Sequence, residues 1–204
     1  MHISEGVLSA PVLVSGLALT VAATALGLKR LSLEETGRAG ILAASFFVAS
    51  LIHVPLGPGN VHLILNGMVG LLLGWGAFPA ILTALTLQAV LFQFGGLAVL
   101  GVNTLIMALP AVICYYLVRG ALNLRMPLWG AAFAGGALSV LFAALLAALA
   151  LVLSNGHFLK AASLLVAAHF PVMIIEGIIT AFCVSFLNRV QPSLLPFFRK
   201  GRPT

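Results

Sequence analysis

The chain opens Met1-His2-Ile3-Ser4-Glu5-Gly6-Val7, and a histidine at position 2 has a specific chemical consequence where Met1 keeps a free amine. The α-amino nitrogen, the backbone nitrogen of His2 and its imidazole Nδ1 can bind one metal ion together, closing a five-membered and then a six-membered chelate ring. Displacing the amide proton suits a metal that rewards planar nitrogen ligation. That favours Ni(II) and Cu(II), with Co(II) behind them, over Mg(II) or Ca(II). Removal of an initiator methionine as a rule requires a small second residue, so His2 predicts that Met1 stays. The alternative for His2 is a solvated side chain on a frayed terminus. Ile3 and Val7 are apolar and could tuck the segment inward, while Glu5 could orient an imidazole or cap the first helix.

A fourth ligand is needed, and a histidine is the obvious donor. His53-Val54-Pro55-Leu56-Gly57-Pro58-Gly59-Asn60-Val61-His62 carries one at each end. Two prolines and two glycines predict irregular backbone, which at membrane depth is tolerated only where protein buries it or where it lines a cavity. His53 is expected to end one helix, with its polar tip in the headgroups or its ring facing the cavity. His62 is expected to open the next helix, with its ring either directed into the bundle beneath the N-terminal segment or packed at the interface.

Gln88, Gln93, Asn103, His169 and Glu176 lie in apolar surroundings, and polar groups in a membrane span are costly unless paired. They bond between helices or line the cavity and hold the N-terminal segment. His169 and Glu176 are about two helical turns apart on one face, which predicts a polar seam. For these two, support of a ligand or simple packing is favoured over direct ligation.

The elements that must position these groups follow from composition. Apolar residues make up 62% and charged residues 7%, a balance that requires lipid as the solvent. The apolar stretches 8–28, 39–54, 62–76, 78–93, 102–118, 129–153 and 161–187 predict an all-α integral membrane protein of about seven transmembrane helices. The break between the third and fourth rests on a tight turn at Gly74-Trp75-Gly76-Ala77-Phe78-Pro79. With seven alternating helices, Lys29, Arg30, Arg38, Arg119, Arg125, Arg189, Arg199, Lys200 and Arg202 fall on one side and only Lys160 on the other. This bias predicts a cytoplasmic C-terminus and an outside N-terminus. The same assignment puts His2, His53, His62 and His157 at the outer boundary and His169 in the outer half of the last helix.

The whole of 1–204 reads as one transmembrane domain, with 1–7 as a metal-binding segment and 188–204 as a basic cytoplasmic tail. The net charge of +6 is explained by topology and anionic lipid, and no nucleic-acid site is expected. No basic region precedes the first apolar run, so no removable signal peptide is expected. Cys114 and Cys183 read as small apolar side chains. Ala132, Gly136, Ala143 and Ala147, and Ala18 with Ala22, are small residues four apart that permit close helix contact, internally or on a partner.

Residues Met1 to Ser9 resemble the opening of the CbiM/NikM family, the cobalt and nickel substrate-capture subunits of energy-coupling factor (ECF) transporters. Further similar stretches are the Gly/Pro loop ending at His62, Leu87-Gln88-Ala89-Val90-Leu91-Phe92 with Gly95-Gly96-Leu97, Leu100-Gly101-Val102-Asn103, and His169-Phe170-Pro171 with Ile175-Glu176-Gly177. The loop departs from the commoner pattern, with Gly57-Pro58-Gly59-Asn60 where a Gly-Gly-Thr-type run precedes the histidine. The resemblance implies seven helices and a site joining the Met1 amine, the His2 amide nitrogen and imidazole, and His62. It also implies Co2+ or Ni2+ as transported substrate rather than cofactor. The implied partners are a transmembrane coupling subunit, ATPase subunits and a small auxiliary membrane subunit, in the inner membrane of a prokaryotic cell. The chain contains no G-x-x-x-x-G-K-[ST] phosphate loop, so it is not expected to supply the energy itself; ATP hydrolysis is expected in the partner ATPase subunits and no enzymatic activity in this chain. The rivals are an intramembrane metalloenzyme, for which H-E-x-x-H is missing, and a capture subunit for an organic vitamin.

Overall fold

The computed structural model describes residues 3–56 and 59–198. Among the described residues there are eight α-helices: α1 (Ala10–Arg30), α2 (Leu33–Ala49), α3 (Asn66–Leu73), α4 (Ala77–Phe92), α5 (Leu100–Asn123), α6 (Leu128–Ser154), α7 (Leu159–Ala168) and α8 (Phe170–Val190). Among the described residues, five stretches are long and apolar enough to cross a membrane: Ala10–Arg30, Asn66–Phe92, Leu100–Asn123, Leu128–Ser154 and Gly156–Val190. Helix α2, seventeen residues that include Glu34, Glu35 and Arg38, is not among them. Its start is fixed locally, since the Glu35 carboxylate accepts from the Ser32 N–H at 3.2 Å, one half of a capping box.

The chain between α2 and α3 differs from the expectation of two helices meeting at a loop. Strands β1 (His53–Leu56) and β2 (Gly59–His62) pair antiparallel, with His53 opposite His62 and Leu56 opposite Gly59. His53 therefore opens a strand instead of ending a helix, and His62 closes a strand instead of opening a helix. Pro55 and the Gly57-Pro58 sequence disfavour continuation of a helix, while Val54 and Val61 are β-branched and suit a strand.

Helix α3 has eight residues and so rises roughly 12 Å, well under half of a hydrocarbon core of about 30 Å. It begins inside the bundle. The Asn66 side chain meets Met107, and Gly74 lies beside the Tyr115 ring, so α3 runs along α5 in the same direction. A three-residue 3-10 turn at Gly74–Gly76 comes next, where a turn was expected. Helix α4 then returns: Pro79 lies against Gly27 near the end of α1, and Gln88 meets Ser50 just past α2.

Helices α1 and α5 are joined by the Thr20 hydroxyl, which donates to the Gly101 carbonyl at 2.6 Å. The opposite face of α1 is open, with Val14, Leu17, Leu19, Val21 and Leu28 each more than half exposed, as expected for a surface that meets lipid. Helices α6 and α8 pack closely because Gly136 has no side chain. A Cβ there would stand 2.5 Å from Thr180 Oγ1 and 2.7 Å from the Glu176 carbonyl oxygen. Ala132, Ala143 and Ala147 are fully buried, so the small-residue stripe of α6 serves internal packing, whereas Ala18 and Ala22 are exposed. The long last stretch is broken at His169, which ends α7 and precedes α8. Cys114 in α5 and Cys183 in α8 are free thiols.

Candidate metal-capture site

Met1 and His2 lie outside the described residues, but the residues next to them are firmly held. Ile3 is buried, and its main chain is clasped at both ends by one side chain. The Ile3 N–H donates to Asn103 Oδ1 at 3.1 Å, and Asn103 Nδ2 donates to the Ile3 carbonyl at 3.0 Å. An amide side chain carries both a donor and an acceptor, and so can return both bonds to the main chain of one residue in this way. Two residues on, the Glu5 N–H donates to the Gly95 carbonyl at 3.1 Å, and its Oε1 accepts from the Ala98 N–H at 2.9 Å. Gly96 between them has φ +109°, a conformation that favours glycine, and a Cβ there would overlap the Glu5 carboxyl group. Glu5 therefore pins the N-terminal segment to the 93–99 loop. It caps no helix: the N-cap of α1 is Ser9.

A second segment reaches the same face of α5. Residues 63–65 run from the hairpin to the start of α3, with Ile64 fully buried and Leu65 at φ 54°. Irregular backbone at this depth needs donors and acceptors from its surroundings. Glu176 of α8 supplies the acceptors. Its Oε1 accepts from Ile64 N–H and, at 2.9 Å, from Leu65 N–H, while Oε2 lies 3.0 Å from the Leu65 nitrogen. The carboxylate thus caps α3 from another helix, where the positive end of the helix dipole favours it. Asn66 continues the junction, with Nδ2 donating to the Met107 carbonyl at 3.1 Å and Oδ1 accepting from the Ser139 hydroxyl at 3.1 Å.

Asn103 and Met107 are one turn apart on α5, a rise of about 6 Å. The helix therefore carries the N-terminal segment at Ile3 and the post-hairpin segment at Asn66 side by side. His62 stands four residues before Asn66 and is 8% exposed, with Nδ1 lying 3.0 Å from the Leu63 carbonyl oxygen.

The other residues expected at the site are more widely spread. Gln88 is fully buried and donates to Ser50 Oγ at 2.5 Å, tying α4 to the end of α2. Gln93 is exposed at the C-cap of α4 with φ 56° and lies beyond the span in which it was expected. His169 Nδ1 sits 2.7 Å from the Leu165 carbonyl, so it secures the α7–α8 junction, while Glu176 bonds to residues 64 and 65. The expected polar seam between the two is not formed by a hydrogen bond. The side chains of His53 and Asn60 lie outside the described ones. Among the described residues, no group of three or more His, Cys, Asp or Glu side chains is arranged to hold a metal ion.

Asn66 and Ser139 were not singled out in the sequence. Asn66 breaks an otherwise apolar run, Ile64-Leu65-Asn66-Gly67-Met68-Val69, by the same logic that drew attention to Asn103.

A helical bundle of this kind, entered by a half-length helix and clasping its own N-terminal segment, defines a multi-pass membrane protein built around an inner junction. Residues 2–194 match the family described as the cobalt uptake substrate-specific transmembrane region, and the chain belongs to this CbiM family. It is 47% identical over 199 residues to a predicted metal transport protein of Haemophilus influenzae, covering 96% of this chain and 97% of that one. It is 32% identical to the cobalt transport protein CbiM of Geobacter sulfurreducens, covering 96% of this chain and 61% of that one. It is 31% identical to the fused nickel transport protein NikMN of Rhodobacter capsulatus, covering 96% of this chain and 64% of that one. Among solved structures, a truncated transition metal transporter superposes with a TM-score of 0.85 at 27% identity, covering 93% of this chain and 99% of that one. The chain is thus a membrane protein of a cobalt and nickel transport family.

Proposed function

We propose that this chain is the metal-capturing membrane subunit of an ECF-type cobalt or nickel importer, taking the ion from the outer side. In this reading the Met1 amine, the His2 amide nitrogen and imidazole, and His62 Nε2 make a planar four-nitrogen site. Co2+ or Ni2+ is the transported substrate.

The observation that carries the reading is the double hydrogen bond between Asn103 and Ile3. It fixes the peptide next to His2 and gives the terminal nitrogens a defined starting point, beside the segment that bears His62. Names of relatives supply both metals, cobalt for one and nickel for another. The chain is one transmembrane unit of seven passages with its N-terminus outside, counting α2 and α4 as separate passages, α3 with the segment that leads into it as another, and α7 with α8 as one. The basic side chains of the 29–38 and 119–128 loops and of the tail, against Lys160 alone on the other side, support that orientation. ATP is hydrolysed by partner ATPase subunits, coupled through a transmembrane partner with a small auxiliary membrane subunit, in the inner membrane of a prokaryotic cell.

The test compares Ni(II) and Co(II) binding by the purified chain, by a version extended by a few residues before Met1, and by His62→Ala. Extension removes the terminal amine from the site and is expected to abolish binding, as is loss of the imidazole. Retention of full affinity by the extended chain would refute the terminal chelate.

A further inference from the structure

The Leu63–Ile64 peptide is bonded at both ends. Its carbonyl oxygen lies 3.0 Å from His62 Nδ1, and its N–H donates to Glu176 Oε1. A carbonyl only accepts, so Nδ1 carries the proton, and in the neutral ring the lone pair resides on Nε2. Imidazole, peptide and carboxylate therefore form one hydrogen-bonded chain that joins β2 to α8.

We propose that Glu176 is a positioning residue for His62. Through the Leu63–Ile64 peptide it holds the ring in its Nδ1–H tautomer and strengthens Nε2 as a metal donor. The proposal rests on the reading of His62 as a ligand and adds the group that tunes it.

Several features of the structure support this role. An N–H that donates to an anion pushes electron density onto the carbonyl of the same peptide, which makes that oxygen a better acceptor for the next donor. Metal-binding histidines are commonly oriented by a carboxylate at the other ring nitrogen, and here a peptide group is interposed between the two. The segment also does not hold itself: Leu65, a non-glycine residue, sits at φ 54°, in a region that side chains rarely adopt. Finally, Glu176 is fully buried, and both of its side-chain oxygens are turned to main-chain N–H groups of the segment that follows His62.

The test uses the full-length chain in lipid nanodiscs with 15N-labelled histidine, the His62 signals being those lost in His62→Ala. The ring tautomer is read without metal, and Ni(II) affinity is then titrated. The unmodified chain is expected to show a protonated Nδ1 and an unprotonated Nε2. Glu176→Gln is expected to mix the tautomers and to weaken Ni(II) binding roughly 10–100-fold. Glu176→Asp keeps the charge but is one methylene shorter, and is expected to fall between the two.

Thr20→Ala, which removes a buried hydrogen bond between α1 and α5, is expected to change neither readout. A Glu176→Gln chain that keeps the single tautomer and the original affinity would overturn the proposal. If that variant fails to fold, Glu176→Asp with unaltered tautomer and affinity overturns it equally. Equal effects from Thr20→Ala would reveal general loosening and would also sink it. If His62→Ala binds Ni(II) as the unmodified chain does, the ligand reading fails and takes this proposal with it. In contrast, a chain that needs His62 but ignores Glu176 leaves the ligand reading standing.

Discussion

Replacing Asn103 by alanine isolates what the N-terminal clasp contributes. The substitution removes one acceptor and one donor and leaves the Ile3 N–H and carbonyl without their partners in a buried site. A buried polar group left unpaired costs about 1–3 kcal/mol. Ser4 and Glu5 next to Ile3 are exposed, so water has a route to the vacated groups, and the lower end applies to each. The two together give about 2 kcal/mol, which at 1.4 kcal/mol per tenfold corresponds to roughly 30-fold in a dissociation constant. If the terminal nitrogens bind the metal, that energy is drawn from metal affinity, because the segment must be ordered before it can chelate. The assay is competition for Ni(II) between the purified chain and a coloured chelator, run alongside the unmodified protein and His62→Ala. Asn103→Asp is a useful companion: it keeps the acceptor for the Ile3 N–H but sets a carboxylate oxygen against the Ile3 carbonyl, and should bind at least as weakly as alanine. Affinity of Asn103→Ala within about threefold of the unmodified chain, while His62→Ala abolishes binding, would separate the clasp from the site and refute the reasoning.

Gly96→Val should displace the N-terminal segment, because its side chain would occupy the space of the Glu5 carboxyl at a backbone conformation of φ +109°. A loss of Ni(II) affinity of about tenfold or more in the same titration is expected, with the thermal midpoint little changed. Gly136→Leu should act in the opposite sense, on stability first. Overpacking against Thr180 and the Glu176 main chain costs roughly 1–3 kcal/mol and should lower the thermal midpoint by several degrees, monitored by near-UV circular dichroism in detergent.

The long apolar stretches were legible because lipid demands them, and their boundaries agree with α1, α5 and α6 to within a few residues. The turn near Gly74 was legible for the same local reason, glycine and proline closely spaced. The hairpin was not. His53–His62 contains two prolines and two glycines, which mark a break but leave the conformation beyond it open, and the antiparallel pairing of 53–56 with 59–62 makes it a sheet. Asn103 and Glu176 could be flagged as costly polar residues, but their partners could not be named. Each bonds to main-chain groups about a hundred residues away, and every peptide offers the same N–H and carbonyl. Gln93 shows the opposite failure: one residue past the end of α4, it is exposed, and helix ends are the least certain feature of any apolar pattern.

The cap that Glu176 places on α3 also has a bearing on biosynthesis. The donors at Ile64 and Leu65 emerge from the ribosome 112 and 111 residues ahead of the carboxylate that receives them. At a typical elongation rate of about 5–20 residues per second, they wait roughly 6–22 seconds in the nascent chain. During that interval Asn66 can already reach Met107 and Ser139, but the Ile64 and Leu65 N–H groups lack their acceptor, so this part of the bundle is completed last, when α8 slots in. Ribosomes stalled before residue 176 should therefore hold chains whose first helices are inserted but whose interior is still open to protease and solvent.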